Sequence, residues 1–377
     1  MGTNAMMHSR YAPNLKVVAG LAAVYLVAAK LGLMLAFVHA SATAVWPPTG
    51  IALAAVLVFG YRVWLGIFVG AFLANIATAG SIAIALAIAA GNTLEGVTGA
   101  YLVTRFAGGT RAFDRPQDVF RFALLAGAIS TMVGPTVGLA SLALGGFADW
   151  ADFAAIWLTW WLGDAVGAFQ VAPLLVLWLT NPRVRWQREQ MVEAACLLLC
   201  LFVVGQVVFG GWTPFEVKDY PLDYLCVPIF VWAAFRFGQR ETATATVLLS
   251  GIALWGTLRG FGPFARETPH ESLLLLQGFV GFTALLAMAF AALVAERNRI
   301  EAKREALLRE LDDAFVHIKA LRGLLPMCAS CKKIRDDQGY WDYVENYIQT
   351  HSEATITHGL CPDCIKKLYP QLEKQPQ

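Results

Sequence analysis

From residue 15 to about residue 295 the chain is apolar almost without interruption, and its charges fall in short punctuations between stretches of helix length. A helix needs roughly 20 mostly apolar residues to cross a bilayer. By that measure ten segments predict membrane helices: 15–38, 47–61, 63–79, 81–104, 119–145, 153–180, 190–209, 221–237, 239–258 and 271–295. The second and third are short and join tightly at Tyr61-Arg62, so a re-entrant pair would lower the count to eight. The pattern predicts an all-α polytopic membrane protein of about 8–10 transmembrane helices over residues 15–295, after a short N-terminal segment 1–14.

The periodicity changes after the last apolar segment. Over 296–325 a heptad places Arg297, Arg304, Leu311, Ile318 and Leu325 at a positions and Ile300, Leu307, Ala314 and Leu321 at d positions. Apart from Arg304 this seam is apolar from Ile300 onward, which predicts a short parallel coiled coil and a homodimer. Gly323 and Pro326 end it. A basic helix lying against anionic membrane lipid is the alternative. His317 lies in this helix, and about 60 residues follow it without a Gly-rich ATP lid, so it reads as a surface residue rather than a phosphoacceptor.

Composition supports the division. Of the 377 residues 57% are hydrophobic and 15% charged, against about 25% charged in a soluble domain; residues 296–377 are highly charged. The net charge of +2 gives no reason to expect a nucleic-acid partner, and the first apolar segment has no small-residue cleavage site of a signal peptide. Arginines cluster between segments four and five (Arg105, Arg111, Arg115, Arg121), six and seven (Arg183, Arg185, Arg188), and eight and nine (Arg236, Arg240). With ten spans these all fall on one side, which puts both termini in the cytoplasm of a bacterial inner membrane.

Polar and ionisable groups inside a bilayer are costly and face the bundle interior or a cavity. Lys30, Asn75, Glu95 and Asp164 are such positions, with Asn92 one turn before Glu95 and Trp160 one turn before Asp164. Asn75 and Asn92 are placed to meet across neighbouring helices. A pocket for a small polar ligand, or a proton- or ion-responsive site, is one reading; interhelical hydrogen bonding that only holds the bundle together is the other. The stretch VWPPTGIAL (45–53) sets Trp46 before Pro47 and Pro48. Two prolines do not sit inside a regular helix, so a helix entry with Trp46 as an interfacial anchor is expected, and a broken-helix binding site is the alternative.

The tail residues 326–370 carry Cys328-x2-Cys331 and, 29 residues later, Cys361-x2-Cys364, before a short end 371–377. In a reducing compartment disulfides are disfavoured, and two such pairs suit a four-thiolate zinc site. YWDYVENYIQTH (340–351) predicts a short amphipathic helix, with Trp341 covering the metal. Redox or metal sensing by labile thiolates beside Lys332 and Lys333 is the competing reading. Cys196, Cys200 and Cys226 lie in apolar stretches and read as small buried hydrophobes.

VWPPTG (45–50), GAFLAN (70–75), AAGNTLEG (89–96) and WWLGDAVGAFQVAPLL (160–175), in that order, resemble the MASE1 integral membrane sensor domain. The resemblance implies a sensory front end of the kind found on bacterial histidine kinases and diguanylate cyclases. It carries Trp46, Pro47, Pro48, Gly50, Asn75, Asn92, Glu95 and Asp164 as motif positions and names no ligand. LLPMCASCKKIRDDQGYW and HGLCPDCIKKLYP are similar to a C-terminal cysteine module of bacterial sensory proteins. Together these predict a non-catalytic inner-membrane sensor that takes an unknown small ligand or membrane state. It would signal through a dimeric coiled coil and a zinc-knuckle module to an unidentified cytoplasmic signalling protein. A transporter-like small-solute carrier with a regulatory metal- or redox-sensing tail is the alternative.

Overall fold

The computed structural model describes residues 15–370 apart from 35, 40–41, 77, 79–80, 185, 213–221, 318–324, 337 and 353. It divides into two units, Met1–Arg299 and Ile300–Gln377. The expected end segments 1–14 and 371–377, and the seam positions Ile318 and Leu321, lie outside the described residues.

The first unit is a helical bundle. Its helices are α1 (Leu15–Met34), α2 (Pro47–Phe59), α3 (Trp64–Asn75), α4 (Ile82–Phe106), α5 (Pro116–Phe122), α6 (Val133–Leu144), α7 (Phe153–Thr180), α8 (Arg188–Phe209), α9 (Val227–Arg236), α10 (Gln239–Leu258) and the first part of α11 (Pro269–His317), whose residues from Ile300 on belong to the second unit. Each of the ten apolar segments contains helix among its described residues. Among the described residues six helical runs are long and apolar enough to cross a membrane: α1, α4, Pro116–Leu144, α7, α8 and the first part of α11. Helices α2 and α3 are short, as a re-entrant pair requires, and α10 opens with the polar run Gln239-Arg240-Glu241.

Helix α1 stops at Met34, four residues short of the expected span end. The chain then turns back through a small antiparallel hairpin, β1 (Ala36–His39) and β2 (Ala42–Thr43). That hairpin delivers Trp46 to the middle of α7, where its N–H donates to the Gly163 carbonyl at 3.0 Å. Trp46 is only 7% exposed, which corrects the expectation of an interfacial anchor. It is packed inside the bundle at the start of α2.

Helix α2 is apolar all round, as a core helix is, and every residue from Pro48 to Val56 is buried. Pro47 and Pro48 occupy its first turn, where a missing N–H is harmless. It packs backbone to backbone on α7. A methyl group on Gly50 would stand 2.6 Å from the Val171 Cβ, and one on Gly163 would stand 2.7 Å from the Thr43 carbonyl oxygen. The pair Gly163 and Gly167 is the small-xxx-small pattern that permits such approach.

The expected span 119–145 is helical but irregular. Between α5 and α6 the chain makes a π-turn over Ala123–Ile129 and a 3-10 turn over Ser130–Met132. Pro135, in the first turn of α6, has no N–H for the Thr131 carbonyl. The Ala128 carbonyl accepts the Trp161 indole N–H at 3.0 Å.

In the second unit β3 (Ile334–Arg335) pairs with β4 (Trp341–Asp342), followed by α12 (Val344–His351) and α13 (Pro362–Leu368). Ile334 and Tyr347 are its buried apolar side chains. Helix α12 starts four residues later than the aromatic run predicted, because Asp342 Oδ1 accepts from the Tyr343 N–H and the Asn346 amide. Trp341 therefore lies in a strand, half exposed, under the Arg335 guanidinium.

Candidate functional site

The site is built around one hydroxyl. Thr49, in the first turn of α2, places Oγ1 2.9 Å from Glu95 Oε1 of α4 and 3.0 Å from Asp164 Oδ1 of α7. Glu95 is 2% exposed and Asp164 1%. Their second oxygens, Glu95 Oε2 and Asp164 Oδ2, have no hydrogen-bond partner. One turn earlier on α4, Asn92 Nδ2 donates to the Tyr25 hydroxyl of α1 at 3.2 Å. Gly134 of α6 leaves room for the cluster: a methyl group there would press on Glu95 and come within 3.3 Å of Asn92 Oδ1. Five helices thus converge on one buried polar cluster.

The sequence named most of these residues but not their partners. Glu95, Asp164 and Asn92 come together as expected. Asn75 does not meet Asn92: its Nδ2 donates 2.9 Å to the Ala71 carbonyl of its own helix, which satisfies it locally. Lys30 Nζ donates to the Ala74 carbonyl at 3.1 Å, so it serves the end of α3 rather than the carboxyls. Trp160 packs its ring against Gly138, and Gly50 and Pro48 form the floor on which Thr49 is presented. Pro47 is half-buried beside Trp46.

Three contributors were missed: Thr49, Tyr25 and Gln277. Each is a lone hydrogen-bonding side chain in an apolar run, a signal that composition hides. Gln277, 1% exposed on α11, donates Nε2 to the carbonyls of Thr43 and Thr159, both at 3.1 Å. Gln170 of α7 donates to Ser250 Oγ of α10 at 2.8 Å and to the Val280 carbonyl of α11 at 3.2 Å. Amides therefore stitch α11 to α7 and to the strand that leads into α2.

The cysteines form two half-sites. The Cys331 N–H donates to Cys328 Sγ at 3.5 Å, the Lys332 N–H to the Cys328 carbonyl at 3.0 Å, and Lys332 takes a left-handed φ of 60°. This tight knuckle points backbone N–H groups at sulfur. The Cys331 backbone N–H holds the Cys328 thiol below the usual range, and the Cys364 backbone N–H does the same for Cys361. Such low-lying thiols are the form that zinc takes. Among the described residues no three His, Cys, Asp or Glu side chains are gathered to hold a metal. A tetrahedral site needs the two pairs to close on each other. His358 is exposed.

The site is a buried carboxyl cluster at the start of α2 inside a polytopic helical bundle. The family is more specific: residues 17–298 match MASE1, a membrane sensor domain of signalling proteins, and the chain belongs to that family. Over 265 residues it is 23% identical to the probable diguanylate cyclase DgcE of Escherichia coli (strain K12), a match covering 68% of this chain and 23% of that protein. The chain thus aligns with about a quarter of that relative's length. No solved structure matches it.

Proposed function

We propose that the Thr49–Glu95–Asp164 cluster receives the stimulus of this sensor and that α11 carries the response to the cysteine module. The observation that supports this most directly is α11 itself. It runs as one helix from Pro269 to His317, and Gln277 ties it to Thr43 and Thr159, each within a few residues of the site. The carrier alternative shares the buried carboxyl cluster, but the unbroken exit of α11 favours relay.

In this reading the exposed side chains of Ile300, Leu307 and Leu311 form the seam of a parallel homodimer, and both termini face the cytoplasm. Cys328, Cys331, Cys361 and Cys364 together hold zinc, which supplies much of the stability of so small a module. The module's surface then reports to a separate signalling protein. The cyclase activity in the relative's name is that protein's; to the residues here we assign reception and relay and no catalytic step.

The test is interhelical cross-linking in membranes with Leu311→Cys, compared with and without Asp164→Asn. Relay requires that the site substitution change the yield of cross-linked dimer. An unchanged yield in a correctly inserted protein removes Asp164 from the mechanism.

A further inference from the structure

We propose that the Thr49–Glu95–Asp164 cluster is a proton-binding site, in which the two carboxyls hold a proton between them across Thr49. This rests on the reading of the cluster as the stimulus site and names its ligand. The argument is a proton count. Thr49 Oγ1 lies at hydrogen-bond distance from two carboxyl oxygens, Glu95 Oε1 at 2.9 Å and Asp164 Oδ1 at 3.0 Å. A hydroxyl has one proton to donate. If both carboxyls were ionised, one of the two contacts would set lone pair against lone pair. The second contact requires a proton on Glu95 or on Asp164, with Thr49 accepting it.

The surroundings agree. From α1 the facing group is the Tyr25 phenol, which accepts from Asn92. From α2 it is Thr49, from α4 Glu95 and Asn92, from α7 Asp164 beside Trp160, and from α6 Gly134, which has no side chain. No lysine, arginine or histidine bonds either carboxyl among the described residues, and Lys30 donates elsewhere. Two unpaired carboxylates buried this deeply would face a large desolvation penalty without a compensating cation. The proton is gained or lost on Glu95 Oε1 or Asp164 Oδ1, the oxygens that face Thr49, while Glu95 Oε2 and Asp164 Oδ2 are enclosed without hydrogen-bond partners. The site takes up a proton from water and returns it to water; no bond other than O–H forms or breaks.

Deprotonation would leave two like charges against the first turn of α2, at the point where Gly50 and Gly167 bring α2 and α7 into backbone contact. The same stretch of chain holds the Gln277 amide through Thr43 and Thr159. Proton state is thereby linked to the seating of α11.

The experiment uses the full chain in lipid nanodiscs and follows the carboxylic-acid C=O band by infrared spectroscopy during a pH titration in H2O and D2O. The wild type is expected to show a deuterium-sensitive band that disappears at alkaline pH. The band should be lost or reduced in Glu95→Gln and in Asp164→Asn, shifted in Thr49→Val and retained in Thr49→Ser. Spectra superimposable on wild type for both carboxamide variants at every pH would overturn the proposal. So would a band that responds to sodium at fixed pH and not to pH, which would make the ligand a metal cation. Leu311→Cys cross-linking on the same samples separates the two claims. A titrating band with pH-independent cross-linking upholds the proton site and sinks the relay. Unchanged pH-dependent cross-linking in Glu95→Gln/Asp164→Asn sinks the relay from this cluster, while the proton site stands or falls on the infrared band.

Discussion

The Gln277 side chain of α11 donates to the Thr43 carbonyl at 3.1 Å, across 234 residues of sequence. The same Nε2 reaches the Thr159 carbonyl on α7. Thr43 ends the hairpin that places Trp46, and Thr159 lies just over one turn before Asp164. One amide thus touches both supports of the candidate site and belongs to the helix that leaves the bundle.

Gln277→Leu keeps the volume and removes both donors. Losing both Gln277 hydrogen bonds costs about 1–3 kcal/mol, read as a lower thermal midpoint of the detergent-solubilised protein. The sharper expectation is functional: cross-linking at Leu311→Cys should lose its dependence on Asp164. A Gln277→Leu protein that still transmits the Asp164→Asn effect would show that coupling runs by another route.

The α2–α7 contact makes a second demand. A methyl group on Gly167 would overlap the Trp46 carbonyl, whereas one on Gly20 of α1 meets nothing within 4 Å. Gly167→Ala should destabilise by about 1–3 kcal/mol through overpacking, and Gly20→Ala should be neutral or stabilising by about 0.5–1 kcal/mol. Equal thermal midpoints for the two variants would argue against backbone contact at Gly167.

These contacts mark where the sequence was readable. Helix positions were legible because long apolar runs mark membrane helices, and each of the ten segments contains helix among its described residues, though only six runs are of spanning length. Glu95 and Asp164 stood out because charge in an apolar run is rare. Trp46 was misplaced because a tryptophan before two prolines looks the same at an interface or inside a bundle; only the hairpin after Met34, which has no strong local signal, decides it. Asn75 was paired with Asn92 by residue type, although its own Ala71 carbonyl was nearer. Thr49, Tyr25 and Gln277 escaped notice because a threonine, a tyrosine or a single glutamine in a membrane helix usually satisfies itself locally. The π-segment over Ala123–Ile129 is a ladder irregularity that periodicity does not report.

Thr49 itself supports a conservative and a disruptive substitution. Thr49→Val removes the hydroxyl from two buried carboxyls and should cost about 1–3 kcal/mol, while Thr49→Ser should stay within about 1 kcal/mol of wild type. Thermal melts of the two variants in the same detergent check this. Identical losses for Ser and Val would mean that the methyl group, not the hydroxyl, matters.

The tail makes a pH prediction. Backbone N–H donors lower the Cys328 and Cys361 thiols, so their thiolates persist as pH falls below the ordinary thiol value of about 8.5. They are lost only when pH falls through the lowered value. Alkylation of metal-free full-length protein, followed residue by residue against pH, should show both cysteines reacting at lower pH than a cysteine in an unfolded peptide. An inflection at or above the peptide's would remove the pre-organised knuckle.

The central claim is that the state of the carboxyl cluster reaches the seam of α11. It is tested most directly by the rate of Leu311→Cys cross-linking between copies in native membranes, measured in otherwise wild-type protein and with Asp164→Asn. The account predicts two different rates at equal expression and insertion. The same rate in both would contradict it.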